Sequence, residues 1–132
     1  MIGIDTNVLI RLVVFDNVDQ NAAAREFFSD RSPDDPAYIS GIVLAETIWL
    51  LGRRFGYSRE TLNELVHKIL QSDDFVVEHG ERLLTLFDDA SSPLPDVADQ
   101  LIAWSAERAG CSRTVTFDRR VARLTPSMEL LS

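Results

Sequence analysis

The chain has one cysteine, Cys111, and two histidines, His67 and His79. A lone thiol excludes an intrachain disulfide and a cysteine-based zinc cluster. Lysine is nearly absent, with Lys68 the only one among 13 basic residues. Arginine therefore carries the positive charge. Its planar fork suits phosphate, although genome composition produces the same bias. Positive charge is itself in deficit, and the formal net charge is −8. This excludes a non-specific nucleic-acid coat, which needs a basic face. It leaves open a nucleic-acid substrate whose site gathers acids around a metal. There is no long apolar run, and no basic segment leads into an apolar one at the start. No membrane partner is expected, and the expected location is cytoplasmic. A Ser/His/Asp set and a glycine-rich phosphate loop are both missing. Repeats, linkers and low-complexity stretches are missing too. The 132 residues are enough for one core, so residues 1–132 are expected to form a single domain.

What is present begins with Ile2-Gly3-Ile4, which runs into Asp5-Thr6-Asn7 and then into the largely apolar residues 8–14. The lack of polar alternation predicts a strand buried on both faces that ends at Asp5 and turns into a buried helix. Residues 16–20 read as a polar turn. Residues 21–28 read as a helix with Ala and Phe inward, and 32–36 as a Pro- and Asp-rich loop. A strand is expected at 37–40 and a strongly apolar helix at 42–55, closed by Gly56. Ser58 can cap the next helix, whose Leu62, Leu65, Val66, Ile69 and Leu70 recur at helical spacing. Then follow a strand at 75–78 and a helix at 81–89 with Leu83, Leu84, Leu86 and Phe87 inward. A loop at 91–95 precedes a helix at 96–109 ended by Gly110. A strand at 114–117, a short helix at 119–123 and a strand at 128–131 complete the chain. Strands alternating with helices predict an α/β fold: a parallel sheet with helices on both faces.

Several acids do not suit their surroundings. Asp5 and Asp118 end apolar strands, although each can equally cap the helix that follows. Glu46 stands in an apolar helix, where a buried carboxylate is costly unless paired or on a metal. An exposed Glu near a helix start is the alternative. Asp96 and Asp99 open a helix three residues apart. Asp96 reads as its cap, whereas Asp99 shares a stripe with Ile102, Ala103 and Ala106 that points to the packed side. Strand ends and helix starts of a parallel sheet lie on one edge, at the crevice. Carboxylates converging there would repel one another. A divalent cation removes the conflict, and hard oxygen donors suit Mg²⁺ or Mn²⁺.

Four blocks carry a resemblance that spans nearly the whole chain. They are Ile4-Asp5-Thr6-Asn7-Val8-Leu9, Ile42-Val43-Leu44-Ala45-Glu46, Asp96-Val97-Ala98-Asp99-Gln100-Leu101-Ile102-Ala103 and Val115-Thr116-Phe117-Asp118-Arg119-Arg120. In this order they resemble a PIN-domain ribonuclease, specifically the VapC-type toxin of a type II toxin–antitoxin pair. The resemblance implies a single PIN domain of three-layer α/β architecture with a central, mostly parallel sheet. It implies that Asp5, Glu46, Asp99 and Asp118 form the catalytic, metal-holding quartet, with Asp5 and Asp99 as direct ligands. Thr6 and Thr116 would orient water or phosphate. Asp96 is a further candidate, although capping already explains it. Pro95 and Val97 depart from the Gly and Phe that often flank that position in the family. Arg119 and Arg120 follow Asp118 and either meet phosphate or are simply solvated.

The expectation is a Mg²⁺- or Mn²⁺-dependent endoribonuclease in which the metal activates water and stabilises the developing charge at the scissile phosphate. By resemblance, the products carry a 5′-phosphate and a 3′-hydroxyl, and the substrates are tRNA, rRNA or mRNA. The implied partners are a second copy in a homodimer and a small cognate antitoxin that reaches the quartet with an arginine. Two rivals remain. A non-catalytic PIN-like module that binds RNA or protein would lack one of the acids. A phosphatase-type domain usually needs a second Asp two residues after the first or a Lys near the last strand, and neither Asn7 nor the single Lys68 supplies this. His67 and His79 read as surface residues, and Trp49 and Trp104 as core or dimer contacts.

Overall fold

Residues 1–89, 93–94 and 96–131 are described by a computed structural model. The chain divides into two compact units, Met1–Gly80 and Glu81–Ser132. The loop expected at 91–95 lies mainly outside the described residues, which include neither Ser91, Ser92 nor Pro95.

In the first unit, β1 (Ile2–Gly3), β2 (Ala37–Ile39) and β3 (Phe75–Val77) pair in parallel in that order. Ile2 aligns with Ala37 and Ala37 with Phe75. Parallel neighbours need long crossovers. Here α1 (Thr6–Ile10) and α2 (Val18–Ser29) connect the first pair, and α3 (Gly41–Arg54) and α4 (Arg59–Gln71) the second. Central β2 is the dry strand, with Ala37 and Ile39 fully buried. Leu9, Ile10, Leu44, Leu51, Val66 and Ile69 are buried with it. The helix starts are written in the sequence. Asn17, Ser40 and Ser58 each accept a backbone N–H three residues on, at 2.9, 3.2 and 3.1 Å.

Several expectations change here. β1 is not buried on both faces: it ends the three-strand order, and both of its residues are exposed. Its burial begins only at Ile4. Helix α1 starts at Thr6 and stops at Ile10, where residues 8–14 were expected to be helical. Within the polar stretch 16–20, Asn17 caps α2, which already begins at Val18. Ser40 caps α3 rather than ending β2. The inner face of α2 holds Asn21 and Ala24, while Phe27 and Phe28 are only half-buried. Gly56 closes α3 in the left-handed region, at φ 71°.

The second unit begins within α5 (Gly80–Asp88), after its first residue, and contains α6 (Val97–Arg108), β4 (Thr114–Thr116), α7 (Arg119–Leu124) and β5 (Met128–Leu130). β4 and β5 are parallel, with Thr114 aligned to Met128. In α5 only Leu83 is buried, whereas Leu84, Leu86 and Phe87 are half-exposed. Helix α6 buries Val97, Ala98, Leu101, Ala103 and Trp104. The Arg82 guanidinium lies 4.5 Å from the Trp104 ring centroid, a cation–π contact. Gly110, at φ 95°, ends the helix. Among the described residues the paired strands are all parallel and helices lie between them in sequence, the α/β class expected. Among the described residues, no helix is long and apolar enough to cross a membrane.

Candidate functional site

In the first unit the carboxyl edge of the sheet gathers polar groups, as parallel sheets do. Asp5 follows β1. Its Oδ1 accepts the Val8 N–H at 3.0 Å, so Asp5 is the cap of α1. Its second oxygen accepts nothing from the described residues and the side chain is exposed. The capping alternative and a ligand role are thus compatible, because each needs a different oxygen. Thr6 is the first residue of α1 and is 7% exposed.

Glu46 departs from the expectation. It lies on α3, after β2, but its side chain is exposed and makes no hydrogen bond or ion pair among the described residues. Glu46 is therefore not a buried carboxylate. The apolar helix presents two faces. Leu44, Ala45, Thr47, Ile48 and Leu51 are buried, while Ile42, 81% exposed, and Trp49, 44% exposed, flank Glu46. Trp49 is accordingly not a core residue. Glu78 is an acid that the motif reading passed over. It follows β3 and accepts the Gly41 N–H at 2.7 Å, a second cap for α3.

A cleft of about 600 Å³ opens beside Asp5, lined by Asn7, Val8, Arg11, Gln20 and Phe27 among others. Arg11 is 9% exposed. Its guanidinium donates to Asp16 and, at 3.4 Å each, to Asn21 and Asn7. That hydrogen bond holds the Asp16 carboxyl below the usual aspartate range. Asn21 in turn donates to the carbonyls of Val14 at 2.8 Å and Arg11 at 3.2 Å. This network fixes the end of α1 to α2.

In the second unit Asp96 caps α6 and accepts the Ala98 N–H at 3.0 Å. Asp99 lies in the first turn and is half-buried. Its expected apolar stripe is only partly right, since Ala103 is buried but Ile102 is 41% exposed. Asp99 therefore sits at the border of the packed face. Asp118 caps α7: Oδ1 accepts the N–H groups of Arg120 at 2.9 Å and Val121 at 3.1 Å. The other oxygen is unengaged among the described residues. Thr116 accepts the Asp118 N–H at 3.1 Å through its hydroxyl. It thus holds the turn that aims Asp118. Arg119 and Arg120 are exposed.

Within either unit, no three His, Cys, Asp or Glu side chains form a ready metal cage among the described residues. The donor chemistry of the four acids nonetheless suits a hard divalent cation. All are carboxylates, and Asp5 and Asp118 each keep one oxygen unengaged after capping. His67 and His79 are half-buried, and His79 takes a left-handed φ of 62°.

The family model that matches the sequence is described as the PIN domain, and the match covers residues 2–125. No curated protein matches the chain.

Proposed function

The chain belongs to the PIN-domain family, whose members are generally nucleases, and from this premise we propose that it is a Mg²⁺- or Mn²⁺-dependent endoribonuclease, the VapC-type toxin of a type II toxin–antitoxin pair. The observation that carries the reading is Asp5. It stands at the carboxyl end of β1, beside the cleft, with one oxygen tied to its helix and the other unengaged. Asp118 repeats this arrangement at the end of β4.

Asp5, Glu46, Asp99 and Asp118 would hold the metal. When bound, it supplies activation of water and stabilisation of charge at the scissile phosphate. The chain's own residues do the rest. Asp5 and Asp118 are prepositioned because their capping bonds lock each side chain. Thr116 keeps Asp118 aimed by binding its N–H. Arg119, an exposed guanidinium one residue after Asp118, is assigned to a phosphate oxygen. Thr6, which follows Asp5 at the start of α1, would orient water or phosphate with its hydroxyl. Asp96 is assigned to capping.

The exposed apolar pair Ile42 and Trp49 supports a protein contact on α3. We assign it to a second copy in a homodimer. The antitoxin would be a small basic protein steered by the −8 charge. Mapping new RNA ends after brief expression tests the activity. Fresh 5′-phosphate ends at reproducible positions, absent with Asp5→Asn, are expected. An RNA end profile identical to that of the Asp5→Asn control contradicts it and favours a non-catalytic RNA-binding module.

A further inference from the structure

The exposed residue hardest to explain by folding is Phe117. It is 80% exposed, immediately before Asp118. By strand periodicity Arg113, Val115 and Phe117 share one face, and Thr114 and Thr116 the other. The threonines are half-buried, whereas Val115 is 48% exposed and Arg113 is exposed. Leu131 donates its N–H to the Thr116 carbonyl at 2.8 Å and is itself 48% exposed. Apolar side chains are thus presented to solvent where polar ones would fold equally well. Three arginines follow within six residues of Phe117. Arg119, Arg120 and Arg123 are exposed and form no ion pair among the described residues. Arg113 reaches Glu129 only at 3.6 Å.

An exposed aromatic ring beside unpaired guanidinium groups is the combination that binds single-stranded nucleic acid. The ring stacks on a base, and the cations meet the backbone. A purely apolar protein partner would leave those cations unanswered, so charge complementarity selects a polyanion. Resting on the nuclease reading above, we propose that Phe117 stacks on an unpaired nucleobase of the RNA next to the scissile phosphate, with Arg119 and Arg120 holding the adjoining phosphates. The stack fixes the register of the strand without reading base identity, because every base has a π-face. Phe117 is then a substrate-positioning residue, one step along the chain from a proposed metal ligand.

Binding of a labelled single-stranded oligoribonucleotide to the Asp5→Asn protein, followed by anisotropy, tests this without cleavage. Phe117→Ala should weaken binding roughly 5- to 100-fold. Phe117→Trp and Phe117→Tyr should keep it, and Phe117→Leu should resemble Ala, because leucine is apolar but has no π-face. In the active protein Phe117→Ala should raise KM and leave kcat nearly unchanged. Leucine performing as well as phenylalanine overturns the stack. So does unchanged binding with alanine, and so does a fall in solution mass with Phe117→Ala at unchanged RNA affinity, which makes the face a protein interface. RNA binding that depends on Phe117 in a protein that never cleaves supports the stack while sinking the nuclease reading. Metal-dependent cleavage with KM indifferent to Phe117 does the reverse.

Discussion

Asn21 donates its side-chain amide to the carbonyl of Val14 across 2.8 Å, from the buried side of α2 to the end of the first helical segment. Helix α1 is only 5 residues long and has Asp5 as its cap. So short a helix is held by its surroundings rather than by its own hydrogen bonds. The Asn21–Arg11 network is part of those surroundings and reaches the proposed site through α1.

Replacing Asn21 with Ala leaves two carbonyls and a buried guanidinium short of a partner. A loss of about 1–3 kcal/mol is expected, the range for a buried polar group left unsatisfied. Urea unfolding measures it. A midpoint unchanged from wild type would show that water replaces the amide without penalty.

The Arg11–Asp16 pair makes a pH-dependent contribution of defined sign. Arg11 lowers the carboxyl of Asp16 from its usual 3.8 in the folded chain. The stabilisation is therefore fully present above that value and is lost as pH falls through the lower, folded one. Asp16→Asn should be less stable than wild type at neutral pH, with the gap closing in acid. Thermal midpoints measured between neutral pH and pH 3 read this directly, and a gap that widens in acid would contradict it.

Asp96 and Asp99 allow capping to be told apart from the proposed metal holding. Asn caps a helix about as well as Asp, so Asp96→Asn should retain activity while Asp99→Asn loses most of it. Asp96→Ala should destabilise by about 1 kcal/mol. Equal losses of activity for the two Asn variants would make Asp96 a ligand.

The exposed pair on α3 predicts an effect on assembly. Ile42→Asp should shift the protein from dimer to monomer in light scattering without unfolding it, because Ile42 is 81% exposed. A wild-type protein that is already monomeric would remove the homodimer from the account.

Much of the fold could be read because its signals are local. Ser58 caps a helix, Gly56 and Gly110 end two, and alternating strands and helices impose parallel pairing. Asp5, Asp96 and Asp118 stand at helix caps, as their neighbours indicated. What escaped depends on which face an element turns outward. Asn17 looked like part of a turn because cap residues and turn residues are the same few types. Glu46 looked buried because α3 is apolar on both faces, although Ile42 and Trp49 leave that side open. Asn21 and Arg11 were unremarkable as single polar residues, and only tertiary pairing joins them. Phe117 read as an ordinary strand residue, since a two-residue period does not say which face is covered.

The central claim is metal-dependent cleavage at the acidic quartet, and the most direct measurement is RNA hydrolysis by the purified protein under control of divalent ions. Excess EDTA should abolish cleavage, and added Mg²⁺ or Mn²⁺ should restore it. Asp5→Asn should stay folded, yet lose more than the roughly 10- to 100-fold that follows removal of a group which only orients a ligand. Full cleavage in excess EDTA, or an Asp5→Asn protein as active as wild type, would contradict the account.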